Sequence, residues 1–131
     1  MRHLWITKQI ALAAHEQSLA DHGGASGIRD AGGLESALAL PLQLAAYGSP
    51  SIFELAASVC QGIVRNHPFV DGNKRTGFLF SYVFLGMNGY ELDADQSEAA
   101  AIIIDLAAGK ITEADYALWL SANCQAIEKS K

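Results

Sequence analysis

The chain has 131 residues and a formal net charge of −5, from 9 basic and 14 acidic side chains. Half of it is hydrophobic and only 18% is charged, which excludes a disordered chain and predicts a packed core over a single domain, 1–131. The acidic balance excludes a general nucleic-acid binder, which needs a broad basic surface.

Other exclusions follow from patterning. Cys60 and Cys124 fall in apolar helical patterns and read as ordinary buried thiols. The N-terminal MRHLWITKQI lacks the apolar stretch and small-residue cleavage site of a signal peptide. No apolar run reaches the roughly 20 residues of a membrane span. The expectation is a soluble cytoplasmic protein that contacts neither membrane nor nucleic acid directly.

In chain order, Thr7 is placed to cap a first helix that runs through Ala20 and stops at Gly23-Gly24. The segment GGASGIRDAGG predicts a turn-dense loop. A short helix follows over Leu34 to Leu40, ended near Pro41, and then a separate short segment over Leu42 to Tyr47. Ser51 opens the cleanest helix: Ile52, Leu55, Ala56, Val59, Cys60, Ile63 and Val64 repeat at helical spacing, and Ser51 with Glu54 makes a capping-box pattern. This helix ends near Asn66, because Pro68 disfavours helical geometry at His67.

A helix from about Lys74 to Met87 is apolar nearly all round and is expected at the centre of the bundle, ended by Asn88-Gly89. Tyr90 to Asp95 reads as extended or loop. Ser97 is the expected cap of a helix to Ala108, stopped by Gly109, and Thr112 caps a last helix on which Tyr116, Trp119, Leu120, Asn123, Cys124 and Ile127 share a face. The tail EKSK reads as frayed. The fold class expected is all-α, a bundle of about six helices.

Between two of these helices lies HPFVDGNKRTG, His67 to Gly77, which packs an imidazole, an acid, a glycine, an amide, a lysine and an arginine into a loop that feeds a helix start. Helix starts bind anions, because unpaired N–H groups and the positive end of the dipole face the ligand. Lys74 and Arg75 stand in the first helical turn, where cations oppose the dipole, a conflict that a bound phosphate relieves. Two solvated charges are the plain alternative. Three of nine basic residues, Arg65, Lys74 and Arg75, fall in this short stretch. His67 reads as a general base or as a structural histidine bonded to backbone. Asp71 reads as a hard oxygen ligand for Mg²⁺, as a turn residue ahead of Gly72, or both. Gly72 lets backbone approach a phosphate or simply makes the turn, and Asn73 is placed to cap the next helix. Phe69 reads as a core anchor for the loop. Asp93-Ala-Asp95 begins like a calcium loop but lacks the rest. His3, His15 and His22 are isolated and read as surface residues.

At these residues the chain resembles the Fic/Doc family, in its death-on-curing (Doc) branch. The family pattern HPFx(D/E)GNGR is met by His67, Pro68, Phe69, Asp71, Gly72, Asn73 and Arg75, and GIRDAGGLESAL, Gly27 to Leu38, is a second and weaker likeness. Lys74 stands where classical Fic enzymes have glycine, and Phe78 where they have a second arginine. Leu79 replaces an asparagine of Doc, and Gly72 replaces its alanine.

The resemblance implies a toxin of a type II toxin–antitoxin pair. Such a toxin uses ATP and Mg²⁺ to phosphorylate a hydroxyl of a translation factor, elongation factor Tu in the family. Its partner is a Phd-like antitoxin whose segment folds over the site. His67 then takes the proton of the target hydroxyl, and Asp71 holds Mg²⁺. Lys74 and Arg75, with the amides of Gly72 and Asn73, neutralise the transferred group, and Arg65 adds to the field. Two alternatives remain: transfer of AMP, as in Fic adenylyltransferases, and a catalytically silent module that only binds an antitoxin.

Overall fold

The computed structural model describes residues 2–127, so the expected fraying of the EKSK tail lies outside the described residues. Six helices and a two-stranded sheet follow one another as α1 (Lys8–His22), α2 (Ala31–Tyr47), α3 (Ile52–Asn66), α4 (Asn73–Met87), β1 (Tyr90–Leu92), α5 (Gln96–Ala107), α6 (Glu113–Ala122) and β2 (Cys124–Ala126). The all-α class holds, with a small sheet added. No helix among the described residues is long and apolar enough to cross a membrane.

Local chemistry sets most helix starts. The Thr7 side chain accepts from the Ile10 amide, and Ser51 and Thr112 each form reciprocal capping boxes, with Glu54 and Asp115. α3 carries a continuous apolar face and is buried from Leu55 through Cys60 and again over Gly62–Val64. It packs against α2 on one side and α4 on another. A Cβ added to Gly62 would sit 2.8 Å from the Cβ of Ala37 on α2. A Cβ added to Gly77 of α4 would sit 3.2 Å from Cys60 Sγ and 3.2 Å from Val64 Cγ2. α4 is central, as its apolar sequence predicts, and buries Thr76, Gly77, Phe80, Ser81, Phe84 and Leu85. Its other side, with Lys74, Arg75, Tyr82 and Gly86, faces solvent.

Four expectations are corrected. Pro41 does not end a helix: α2 runs unbroken from Ala31 to Tyr47 through it. Proline removes one intrahelical hydrogen bond, but the Pro41 ring is buried, Ala37 and Leu40 before it lie against Gly62 of α3, and Ala45 after it packs on the core. The glycine loop therefore ends at Asp30, whose carboxylate caps α2 through Gly33 N at 2.9 Å. Asp95, not Ser97, caps α5, accepting from Glu98 N at 3.1 Å. The last helix stops at Ala122, and Cys124–Ala126 pairs antiparallel with Tyr90–Leu92 as Tyr90↔Ala126, Glu91↔Gln125 and Leu92↔Cys124. Backbone pairing with β1 outweighs the helical spacing of Asn123, Cys124 and Ile127 there. Both cysteines are free thiols, Cys60 buried and Cys124 half-buried.

Candidate functional site

The motif loop joins α3 to α4, and its geometry begins with His67. Pro68 cannot follow a residue in helical geometry comfortably. His67 takes the left-handed region, φ 47°, and caps α3 with its N–H on Ile63 O at 3.1 Å. It is the one non-glycine residue with positive φ among the described residues. Such a conformation costs of order 1 kcal/mol and persists only where neighbours enforce it. Arg29 does so from outside the motif. Its Nε donates to His67 O at 2.7 Å and its Nη2 donates to Asn66 O at 2.8 Å, which satisfies two of the last carbonyls of α3. The histidine ring itself is left at an exposed position.

The strap of residues before α2 is stitched to the loop by backbone. Arg29 N and Asp30 N both donate to Pro68 O, at 2.7 and 3.0 Å, and Val70 N donates to Gly27 O at 3.0 Å, around an antiparallel bridge between Ile28 and Phe69. Phe69 anchors the loop in the core as expected, 1% exposed and edge-on to Phe80.

Asn73 does not cap α4, contrary to the sequence expectation. Gly72 is the N-cap, φ 75°, with no side-chain cap hydrogen bond. The Asn73 amide instead turns back and closes a ring on Phe69, accepting from Phe69 N and donating to Phe69 O, both at 3.0 Å. This leaves the first-turn amides of α4, those of Asn73, Lys74 and Arg75, without a protein acceptor among the described residues. The amide of Gly72, expected to face the anion, is taken by Asp71 Oδ1 at 2.9 Å.

Asp71 is exposed, and its other oxygen accepts from Ala25 N at 3.1 Å. These two amides, that of Ala25 first, hold its carboxyl below the usual carboxylate range, with smaller help from the charge of Arg75. The strap comes close here: a Cβ on Gly24, φ 122°, would lie 2.9 Å from Asp71 Oδ2, so only glycine fits. Among the described residues no group of three or more His, Cys, Asp or Glu could hold a metal ion. A lone ionised carboxylate with lone pairs to spare fits a hard cation shared with phosphates, not a closed protein cage.

The cations divide. Lys74 is exposed on the first turn of α4 and makes no hydrogen bond among the described residues. Arg75 bends back to the end of α1, with Nη2 on Gly23 O at 2.9 Å and Nε on Ser18 Oγ at 3.4 Å. A cation at the carbonyl end of a helix is favourable. Arg65, on the last turn of α3, acts on Glu113 at the start of α6, where it opposes the upward push of burial on that carboxyl. The structure thus gathers Asp71, Gly72, Asn73 and Arg75 at the loop's end, with Lys74 beside them and Arg65 on the last turn of α3.

Two contributors are missing from the motif-based reading. Arg29 lies in the weaker GIRD likeness, which held the only hint of it. His15, read as a surface residue, is 2% exposed. Its ring stacks on Phe69 with centroids 3.8 Å apart and planes at 10°, and its Nε2 lies 3.0 Å from Asp71 O. The available signal was spacing: Ala11, His15, Ser18 and Leu19 form one inward stripe of α1. His67, Asp71, Lys74 and Arg75 themselves stand exposed. A concavity of about 510 Å³ does exist, but it lies at the far end of α2 and is lined by Leu40, Gln43, Leu44, Tyr47, Pro50 and Glu54, with no motif residue.

Comparison with known proteins finds a matching family model and similar proteins. The family model described as Fic/DOC family matches residues 5–85, which hold α1 to α3, most of α4 and the whole motif. The chain is 43% identical over 76 residues to Toxin Doc of Mycolicibacterium smegmatis, across 56% of this chain and 58% of that protein. It is 30% identical over 118 residues to Protein kinase doc of Escherichia phage P1, across 89% of this chain and 91% of that protein. The first match spans less than two thirds of the relative's length, the second nearly all of it.

Proposed function

The chain belongs to the Fic/DOC family, and from that premise we propose that it is a cytoplasmic toxin that transfers the terminal phosphate of ATP to a hydroxyl of a protein substrate. The observation that carries this reading is the first turn of α4. It has three unpaired amides and no acidic cap, with Lys74 free and Asp71 ionised beside it. Such a turn favours a dense anion, and one carboxylate suits the cation that accompanies it. ATP with Mg²⁺ supplies the phosphoryl group and part of the charge neutralisation.

The chain's own residues divide the remaining work. His67, exposed at the loop's start, accepts the proton of the target hydroxyl. Asp71 holds the cation. The amides of Asn73, Lys74 and Arg75 and the Lys74 side chain face the charge on the phosphates, with the Arg75 guanidinium, held on Gly23 O, adding its charge beside them, while Gly72 gives the backbone turn. Arg65, exposed on the last turn of α3, adds to the positive field. The exposure of His67 and Asp71 suits a substrate presented by a protein surface. Elongation factor Tu is the substrate the family resemblance suggests, and a Phd-like antitoxin is the restraint.

Intact mass spectrometry of elongation factor Tu after incubation with the protein, ATP and Mg²⁺ tests this. A gain of one phosphate, absent with His67→Ala, supports it, and no modification of the factor overturns that choice of target. One observation favours a second reading, AMP transfer: Gly72 is a glycine, as in Fic enzymes. Lys74 opposes it by filling space at the helix start. A gain of one AMP, or its appearance in Lys74→Gly, would select that reading.

A further inference from the structure

The geometry points to His15 as a positioning residue of the motif loop, one that fixes the Asp71–Gly72 peptide group and through it the Asp71 carboxylate. The inference rests on the phosphotransfer reading only for what that carboxylate holds.

The observations are independent of the motif's sequence. α1 turns a stripe of Ala11, His15, Ser18 and Leu19 inward, and two of its members are polar. A buried imidazole is costly unless its polar atoms find partners. The only partner given to His15 by the described residues is Asp71 O, at 3.0 Å from Nε2. A carbonyl can only accept, so Nε2 carries the proton. The ring is held flat against Phe69, itself pinned by the Ile28 bridge and the Asn73 ring. The donor therefore has little freedom to follow the loop; the loop must come to it.

Planarity of the peptide bond transmits this constraint. Asp71 O and Gly72 N–H belong to one rigid group and point in opposite directions. His15 grips the oxygen on the inner side. The Gly72 N–H, aimed outward, meets Asp71 Oδ1 at 2.9 Å, and Ala25 N meets Oδ2 at 3.1 Å. Releasing the carbonyl frees the peptide to rotate and takes away one of the two amides that hold the carboxylate. Residues that orient a metal ligand in this way typically alter metal affinity about 10–100-fold when lost.

The test uses two variants of the full chain. His15→Phe keeps an aromatic ring against Phe69 but leaves Asp71 O without its donor. His15→Gln keeps an amide donor without the stack. Hydrogen exchange at the Ala25 and Gly72 amides is read first, because it needs no activity, and calorimetric binding of Mn²⁺–ATP second. The expected result is faster exchange at both amides in His15→Phe, about 10-fold or more weaker Mn²⁺–ATP binding, an unchanged melting temperature within a few degrees, and partial recovery in His15→Gln. Native-like exchange and binding in folded His15→Phe overturn the inference. So does faster exchange with unchanged binding, since the histidine would then hold the loop without positioning the carboxylate. If His15→Phe does not fold, His15→Gln decides: native-like exchange and binding support the donor role, and weakened binding with native-like exchange overturns it. A wild type that binds no Mn²⁺–ATP counts against the phosphotransfer reading, and the exchange arm alone then decides the role of His15.

Discussion

Around Cys60 this protein is held together by side chains; around Asp71 it is held together by backbone. In the first region α3, α4 and α6 meet through Phe80, Leu55, Ile63, Leu120 and Tyr116, none of them exposed. Its few polar atoms are chained: Tyr116 OH donates to Ser81 Oγ at 2.9 Å, and Ser81 Oγ donates to Ala56 O at 2.9 Å. In the second region every residue from Asp21 to Asp30 is exposed, and order comes from amides, carbonyls and the side chains of Arg29, Asn73 and His15. Apolar packing is insensitive to small rotations of polar groups, whereas hydrogen bonds specify orientation. Phe69 anchors the loop in the core, but the exposed His67 and Asp71 on either side of it are oriented by the second kind of force. Such a region also opens locally at lower cost than the core does.

Substitutions on either side should separate the two. The largest effect is expected from His67→Ala: phosphotransfer should fall about 10²–10⁴-fold, as for loss of a general base. Thermal melting should move by no more than a few degrees, because the exposed ring carries no core packing. A variant that is fully active, or that unfolds, would remove His67 from this role. Next comes Phe80→Ala, on the other side of the comparison. Removing a ring that is 0% exposed should cost about 3–5 kcal/mol by chemical denaturation. A loss under about 1 kcal/mol would mean that this core is looser than its burial implies.

Arg29→Ala probes the backbone-held region with a smaller energy. Its two bonds to Asn66 O and His67 O lie at the surface, so roughly 1 kcal/mol of local stability is at stake. Hydrogen exchange at Arg29, Asp30 and Val70 should speed up about fivefold while the amides of α3 are unaffected. Uniform acceleration would show instead that strap and core open as one unit.

An effect that vanishes at neutral pH is alkaline. Burial pushes the Cys60 thiol from 9.0 up to about 12, with bonds to Tyr116 and Ser81 offsetting only part of this. The unfolded thiol ionises first, so stability is complete below pH 9 and declines as pH rises toward about 12. Tyr116 is raised well above 10.0 by the same burial and adds a decline that begins about a unit later. Denaturant midpoints of Cys60→Ala should therefore fall less steeply between pH 9 and 10 than those of the unsubstituted protein, the remaining decline there coming from Cys124, whose thiol partial burial also raises. An unchanged slope above pH 9 would assign the alkaline loss to another group.

Several features were legible without coordinates because their causes are local. Thr7, Ser51 with Glu54, and Thr112 act on amides two or three positions ahead, so the sequence shows both partners of each cap. Pro68 reports directly on His67. The motif was equally plain as a string of residues, and the family it implied is the one to which the chain belongs. Other features were hidden because the deciding partner is remote in sequence. Pro41 looks like a helix end until α3 supplies the packing that spans it. Cys124 continues a helical pattern until β1 claims its backbone. Asn73 has the chemistry of a cap, yet Phe69 offers both a donor and an acceptor.

The sequence alone determined which chemical groups this protein possesses, where most helices begin, and that a polar loop rich in those groups enters a helix near residue 74. These depend on contacts within one or two turns of chain. Only the tertiary structure decided how those groups are aimed. It turned Arg75 back to the end of α1, left the first amides of α4 open, and buried His15 under Asp71, 56 residues away in sequence. Orientation of an exposed loop depends on hydrogen bonds to distant segments, and no local pattern of residue types records which segment will arrive.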